Sequence, residues 1–290
     1  MLLKKGGINL PVTPSPLRYP GGKTKLYRYI TKILDLNDLH GTYIEPFAGG
    51  AGLAIKLLLS KDVKRIVIND SDRAIYSFWR CVLHHTEELC DFIETVPVTY
   101  EEWERQREIY RHQELYDEVD IGKAALFLNR TNVSGILKGG VIGGKEQNGR
   151  FLMDARFNKG ELINKIRTIA KYSQFIDVYN LDVFDFLSSK VMRHYYKAFV
   201  NFDPPYVMKG GQLYMNSFTE EDHKKLRDVI ARSNRKWIVT YDVCDLTACL
   251  YGKYRKSYID VTYSANQTRT AKEFIFFSDN LVLPDDTVLL

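Results

Sequence analysis

A chain of 290 residues, 45% apolar and 27% charged, can bury one large core or a core with a substantial insertion. No apolar run approaches the ~20 residues that cross a bilayer, and residues 1–7 lack the apolar stretch of a secretory signal, so a membrane-spanning or secreted protein is not expected. Net charge is +5, and the four cysteines, Cys81, Cys90, Cys244 and Cys249, form no C-x-x-C pair, which points to reduced thiols in a cytoplasmic protein.

The charge is unevenly spread. Residues 84–120 hold twelve acids against three bases, and residues 121–172 hold ten bases against three acids. A block that basic and glycine-rich suits a phosphate-facing surface, and equally a solvated face that balances its acidic neighbour.

Taken in order, residues 11–20 carry four prolines and read as an extended arm. Gly21-Gly22-Lys23 then opens a segment with apolar residues at Leu26, Tyr29, Ile30, Ile33 and Leu34, which is helical spacing. Glycines there let backbone approach a ligand, although the spacing is not that of a P-loop, and a plain turn before a surface helix fits as well. Thr42 to Leu53 reads as strand, glycine-rich turn and helix start, the layout of a nucleotide-binding first βα unit without the G-x-G-x-x-G spacing of a dinucleotide site. Arg65 to Asn69 is a second strand, and Asp70 ends it 18 residues after Gly52, where a ribose-binding acid belongs; an N-cap for the helix from Arg73 to Leu83 is the other reading.

His85 to Gln113 reads as one helix, and Lys123 to Arg130 as a buried one. Six glycines between Gly135 and Gly149 predict a loop outside the core. Glu161 to Tyr172 returns as a short helix. Phe175 to Asn180 is a third strand, with Asp182 opening the next helix. Phe199-Val200-Asn201-Phe202 is a fourth, halted at Asp203 by Pro204 and Pro205, which cannot continue a sheet ladder. Asp203 and Tyr206 are thereby left at a strand's carboxyl end, where open α/β sheets bind ligands, although a stiff turn with Asp203 as a helix cap fits the four residues alone. Thr219 is the expected N-cap of a helix to Arg232. Trp237 to Asp242 is a fifth strand, and Ser257 to Tyr263 with Glu273 to Phe277 suggest a closing antiparallel hairpin.

The order Tyr19-Pro20-Gly21-Gly22-Lys23, Glu45-Pro46-Phe47-Ala48-Gly49-Gly50-Ala51-Gly52, Asn69-Asp70 and Asp203-Pro204-Pro205-Tyr206 resembles the Dam-type DNA adenine-N6 methyltransferases. The likeness covers most of the chain. It implies an α/β fold, a Rossmann-like methyltransferase sheet with a final antiparallel strand. Residues 1–84 and 173–290 would form the catalytic domain, and residues 85–172 an inserted, mainly helical and loop, DNA-recognition domain. It implies S-adenosyl-L-methionine as cofactor and double-stranded DNA as partner, with a cognate restriction endonuclease acting separately as a further association.

Carried over by position, Tyr19 and Lys23 would contact the cofactor, Lys23 near its carboxylate. Glu45, Phe47 and Gly49 would line its methionine part, Asp70 its ribose and Asp182 its adenine ring. Asp203, also facing the cofactor, would form the catalytic site with Tyr206 and the Pro204 carbonyl. Arg130, Asn132, Lys138, Lys145 and Arg150 are the DNA-facing candidates. Val133-Ser134-Gly135-Ile136-Leu137-Lys138 departs from the GATC-methylating members, so GATC is not carried over. RNA adenine methylation, non-catalytic nucleic-acid binding and a dehydrogenase are the competing readings. Asp203, the undamaged motifs and the D-P-P-Y run respectively argue against them.

Overall fold

The computed structural model describes residues 13–19, 21–195, 197–207, 218–265 and 267–285, with backbone alone for residues 261–265 and 267–271. Its centre is β1 (Thr42–Glu45), a strand short enough to be covered on both faces. Tyr43 and Ile44 are both fully buried yet belong to different cores, because successive strand residues point to opposite faces. Around it β2 (Arg65–Asn69), β3 (Ile176–Tyr179), β4 (Phe199–Phe202) and β5 (Lys236–Asp242) run parallel, in the order β3-β2-β1-β4-β5. The hairpin of β6 (Arg255–Ala265) and β7 (Gln267–Phe277) completes a seven-stranded sheet, with β7 inserted antiparallel between β5 and β6. The expected Rossmann-like sheet with an antiparallel final strand is therefore present.

One face carries α1 (Tyr27–Asn37), α2 (Gly52–Leu59) and α3 (Arg73–His84). The same core continues through α4 (Thr86–Thr95), α5 (Tyr100–Arg111), α6 (Glu118–Thr131) and α7 (Lys159–Ala170). The other face is covered by α8 (Val183–Ser188), α9 (Lys190–His194), α10 (Glu220–Ala231) and α11 (Asp245–Leu250). Thr219 caps α10 as expected, in a reciprocal capping box with Asp222.

Three expectations are corrected. The helix from His85 to Gln113 is two helices, because Pro97 follows the extended Val96 and cannot extend α4. Part of the arm lies outside the described residues, including Pro11 and Pro20, but residues 14–17 are buried rather than projecting. The glycine-rich loop is also partly core. Gly135, Leu137 and Val141 are buried, and an isolated antiparallel bridge joins Asn132 to Val141. Among the described residues no helix is long and apolar enough to cross a membrane.

Candidate active site

The carboxyl ends of β1, β2 and β4 open onto a cavity of about 620 Å³, a size suited to a small-molecule ligand. Its rim includes a tight turn. After β1, the chain reverses through Gly49 (φ +47°) and Ala51 (φ +44°). A Cβ on Gly49 would stand 2.5 Å from Tyr19 Cζ, so this position requires glycine both for its backbone and for the ring laid across it. The Gly49 amide donates to Asp70 Oδ2 at 2.8 Å, and its carbonyl accepts from Trp79 Nε1 at 3.0 Å.

Asp70 therefore reaches back to the β1 turn, and the cap of α3 is Asp72, which accepts from the Ala74 amide. Burial, and then the neighbouring Asp72 charge, push the Asp70 pKa up to about 7. Glu45, buried and taking the Tyr43 hydroxyl at 3.0 Å, is pushed up to about 8, chiefly by burial. Asn201 Oδ1, also buried on this wall, has no hydrogen-bond partner among the described residues. Three acceptors facing one cavity suit a ligand that brings an ammonium group and hydroxyls.

At the carboxyl end of β4 lies a charge cluster. The Lys23 ammonium, its side chain 4% exposed, lies 2.7 Å from Asp203 Oδ1 and 2.9 Å from Oδ2, and donates to the Gly21 carbonyl at 2.9 Å. It also pairs with Glu273 Oε2 at 3.2 Å. Glu273 Oε1 accepts from the Tyr206 hydroxyl at 2.7 Å, and Thr240 Oγ1 donates to Asp203 Oδ1 at 2.6 Å. Burial raises the Asp203 pKa, the Lys23 ammonium opposes that, and the Glu273 charge adds to it. Asp203 and Pro205 line the cavity, and the Pro204 backbone lies between them.

The remaining candidates divide. Tyr19, Lys23, Glu45, Phe47, Gly49, Asp70 and Asp203 all line this cavity. Asp182 does not; it is exposed and caps α8, accepting from the Phe184 amide at 2.8 Å. Asn132 is corrected from a base reader to a clamp. It is fully buried, its Oδ1 takes Trp103 Nε1 at 2.6 Å, and its amide donates to the carbonyls of Ile136 and Leu137. Asn129, which the motifs did not single out, does the same work between Arg18 and Gly135.

Arg130 lines the cavity but donates to the main-chain carbonyls of Arg156 and Pro16, and burial followed by the Arg18 charge pushes its pKa down to about 10. Lys138 stands on the rim, exposed, while Lys145 and Arg150 are exposed away from it. Sequence reading missed Thr240, Asn201 and Glu273. For Asn201 and Thr240 the visible signal was a polar residue inside the apolar buried runs of β4 and β5; Glu273 follows Lys272 in a mixed strand and carried no such signal.

A family model described as D12 class N6 adenine-specific DNA methyltransferase matches residues 19–266. The type II methyltransferase M.MjaIII of Methanocaldococcus jannaschii is 23% identical over 226 residues, covering 71% of this chain and 73% of its own. The type II methyltransferase M1.LlaDCHI of Lactococcus lactis subsp. cremoris is 23% identical over 253 residues, covering 82% of each. Among solved structures, the rRNA methyltransferase AviRa of Streptomyces viridochromogenes aligns over 95% of this chain and 88% of its own at 10% identity, with a TM-score of 0.39.

Proposed function

The chain belongs to the D12 class N6 adenine-specific DNA methyltransferases, and on that premise we propose that it methylates adenine within a specific duplex sequence at the Asp203–Tyr206 corner. S-adenosyl-L-methionine is the cofactor, and when bound it supplies an activated methyl on a cationic sulfur. The residues present fit it: Glu45 and the unpaired Asn201 Oδ1 are acceptors for its ammonium, and Asp70 for its ribose hydroxyls.

The observation that carries the reading is the ionic corner at the end of β4, where Asp203 is oriented by Lys23 and Thr240 beside the Pro204 backbone. Adenine N6 is a poor nucleophile because its lone pair is delocalised into the ring. Acceptors on both N6 hydrogens, Asp203 and the Pro204 carbonyl, draw the nitrogen toward a pyramidal form with the lone pair directed at the methyl. The protein's part is position and electrostatics, and no covalent enzyme intermediate is needed. N6 in a duplex is engaged in pairing, so the adenine is flipped out at a cost of roughly a few kcal/mol. Tyr206 is 4% exposed and stands behind Asp203 and Pro205 rather than on the cavity wall, so stacking on its ring, which would offset about 1–3 kcal/mol of that, requires the base to uncover it. Glu273 holds that ring by its hydroxyl.

Residues 85–172 serve target recognition in this reading, with Lys138, Lys145 and Arg150 facing phosphates and Arg130 bracing the rim. Asp182, an exposed cap of α8 that does not line the cavity, is given no cofactor contact in this reading. A cognate restriction endonuclease acts separately on the same sequence, a role consistent with the type II relatives.

The test is transfer of tritiated methyl from S-adenosyl-L-methionine to duplex DNA and to RNA of matched sequence. Label is expected in DNA adenine and absent with Asp203→Ala. Cofactor binding without labelling of any DNA would sink the reading, and label in RNA alone would redirect it.

A further inference from the structure

Methyl transfer changes the charge of what the cavity holds. The S–CH3 bond breaks with its electron pair left on sulfur, the N6 lone pair forms the N6–CH3 bond, and the proton that N6 loses passes to water, so a cationic sulfonium becomes a neutral thioether. The reacting methyl must lie about 3–3.5 Å from N6, and N6 must lie within hydrogen-bond reach of Asp203. The sulfonium is therefore brought beside the Asp203–Lys23–Glu273 cluster, and the cluster's net charge acts on it.

Asp203 and Lys23 alone would cancel. Glu273 sits deeper, 1% exposed on β7 and outside the cavity wall, yet its Oε2 is 3.2 Å from the same ammonium. Its other oxygen is held by the Tyr206 hydroxyl. Two carboxylates thus share one ammonium, and the sum is one negative charge. Glu45, on the same wall, is common to every variant compared below and drops out of the comparison. Resting on the adenine-methyltransferase reading above, we infer that Glu273 is a positioning residue for charge. Acting through Lys23, it leaves the site one negative charge, so the site holds the sulfonium donor in preference to the thioether product, S-adenosylhomocysteine.

The two ligands share their amino-acid and nucleoside parts, so the ratio of their affinities isolates the charge. The experiment is equilibrium titration of the full chain with each ligand, without DNA, for wild type, Glu273→Gln, Glu273→Asp and Lys23→Gln. At an effective dielectric near 20, one unit of charge changed within this cluster is expected to move the ratio by on the order of tenfold. Glu273→Gln is expected to lower the donor-to-product affinity ratio by about that factor, with Glu273→Asp restoring it. Lys23→Gln leaves Asp203 and Glu273 without the ammonium between them, so the pair is expected to take up one proton and keep the ratio near wild type, whatever the change does to both affinities together.

A merely structural Glu273 would move both ligands alike. A Glu273→Gln ratio that stays put, or a wild-type donor-to-product ratio at or below one, overturns the inference while leaving the methyltransferase reading intact. If Glu273→Gln does not fold, the wild-type ratio decides, since only a preference for the donor over the product is compatible. A wild-type chain that binds neither ligand defeats the underlying reading instead.

Discussion

Replacing Thr240 with valine keeps the side-chain volume and removes one hydrogen bond. Thr240 is fully buried and donates to Asp203 Oδ1 at 2.6 Å. A hydrogen bond to a charged group is worth about 1.5–3 kcal/mol, and one pKa unit corresponds to about 1.36 kcal/mol. Lys23 contacts the same oxygen, so the lower end of that range applies, or about 1 unit. The sign follows from which form the bond favours. The hydroxyl stabilises the ionised carboxylate, so its loss raises a pKa that burial has already raised. Methyl transfer needs the ionised form, and the acid limb of kcat/KM, which reports the free enzyme, is expected to move up by about 1 pH unit in Thr240→Val. Activity falls on the acid side and recovers above the shifted limb, while Thr240→Ser, which keeps the hydroxyl, stays near wild type. The assay is a pH–rate profile of methyl transfer at subsaturating DNA. An unshifted acid limb, or an equal shift in the serine variant, would refute the reasoning.

Three further outcomes are expected. Gly49→Ala places a methyl against the Tyr19 ring on a left-handed backbone; a cost of roughly 1–2 kcal/mol and a loss of cofactor affinity should appear in thermal melts with and without cofactor, and unchanged affinity would contradict the packing. Asp70 has a folded pKa near 7 against an ordinary 3.8, so its contribution to stability is full below the lower value and is lost as pH rises through the upper one. Asp70→Asn should flatten the wild-type fall in Tm between pH 4 and 8, and should abolish proton release on cofactor binding near pH 7, measured by calorimetry in buffers of different ionisation enthalpy. Exposed Lys145 and Arg150, if they contact phosphates, should each lower the salt slope of DNA binding by about 1 when replaced by alanine, with little change in sequence preference; an unchanged slope would remove them from the interface.

Four of the five parallel strands were legible because each is a short apolar run ended by a recognisable stop, Glu45-Pro46, Asn69-Asp70, Asp203-Pro204 and Asp242, whereas β3 is half-buried with Asp177 inside it. The cavity-lining residues were legible because close backbone approach and buried acids restrict the residue type, as at Gly49 beneath Tyr19. What stayed hidden depends on pairings far apart in the chain. Glu273 lies 67 residues from Tyr206 and looks like one charge in a closing strand until β7 is set beside β5. Asn132 carries the residue type of a base reader. Only the Trp103 indole, 29 residues away, makes it a buried clamp. Composition likewise marked the glycine-rich segment as loop but could not show that Leu137 and Val141 turn inward.

The insertion of β7 between β5 and β6 has a consequence for synthesis on the ribosome. A chain halted after β5 would already hold Lys23 and Asp203 but would lack Glu273, the residue that fastens the Tyr206 hydroxyl. It would also leave the long apolar flank of β5, from Trp237 to Tyr241, as an unpaired edge, the kind of edge that recruits foreign strands. Competence and solubility are thus conferred together, by the same late hairpin, and a truncated product is expected to aggregate before it can act on DNA.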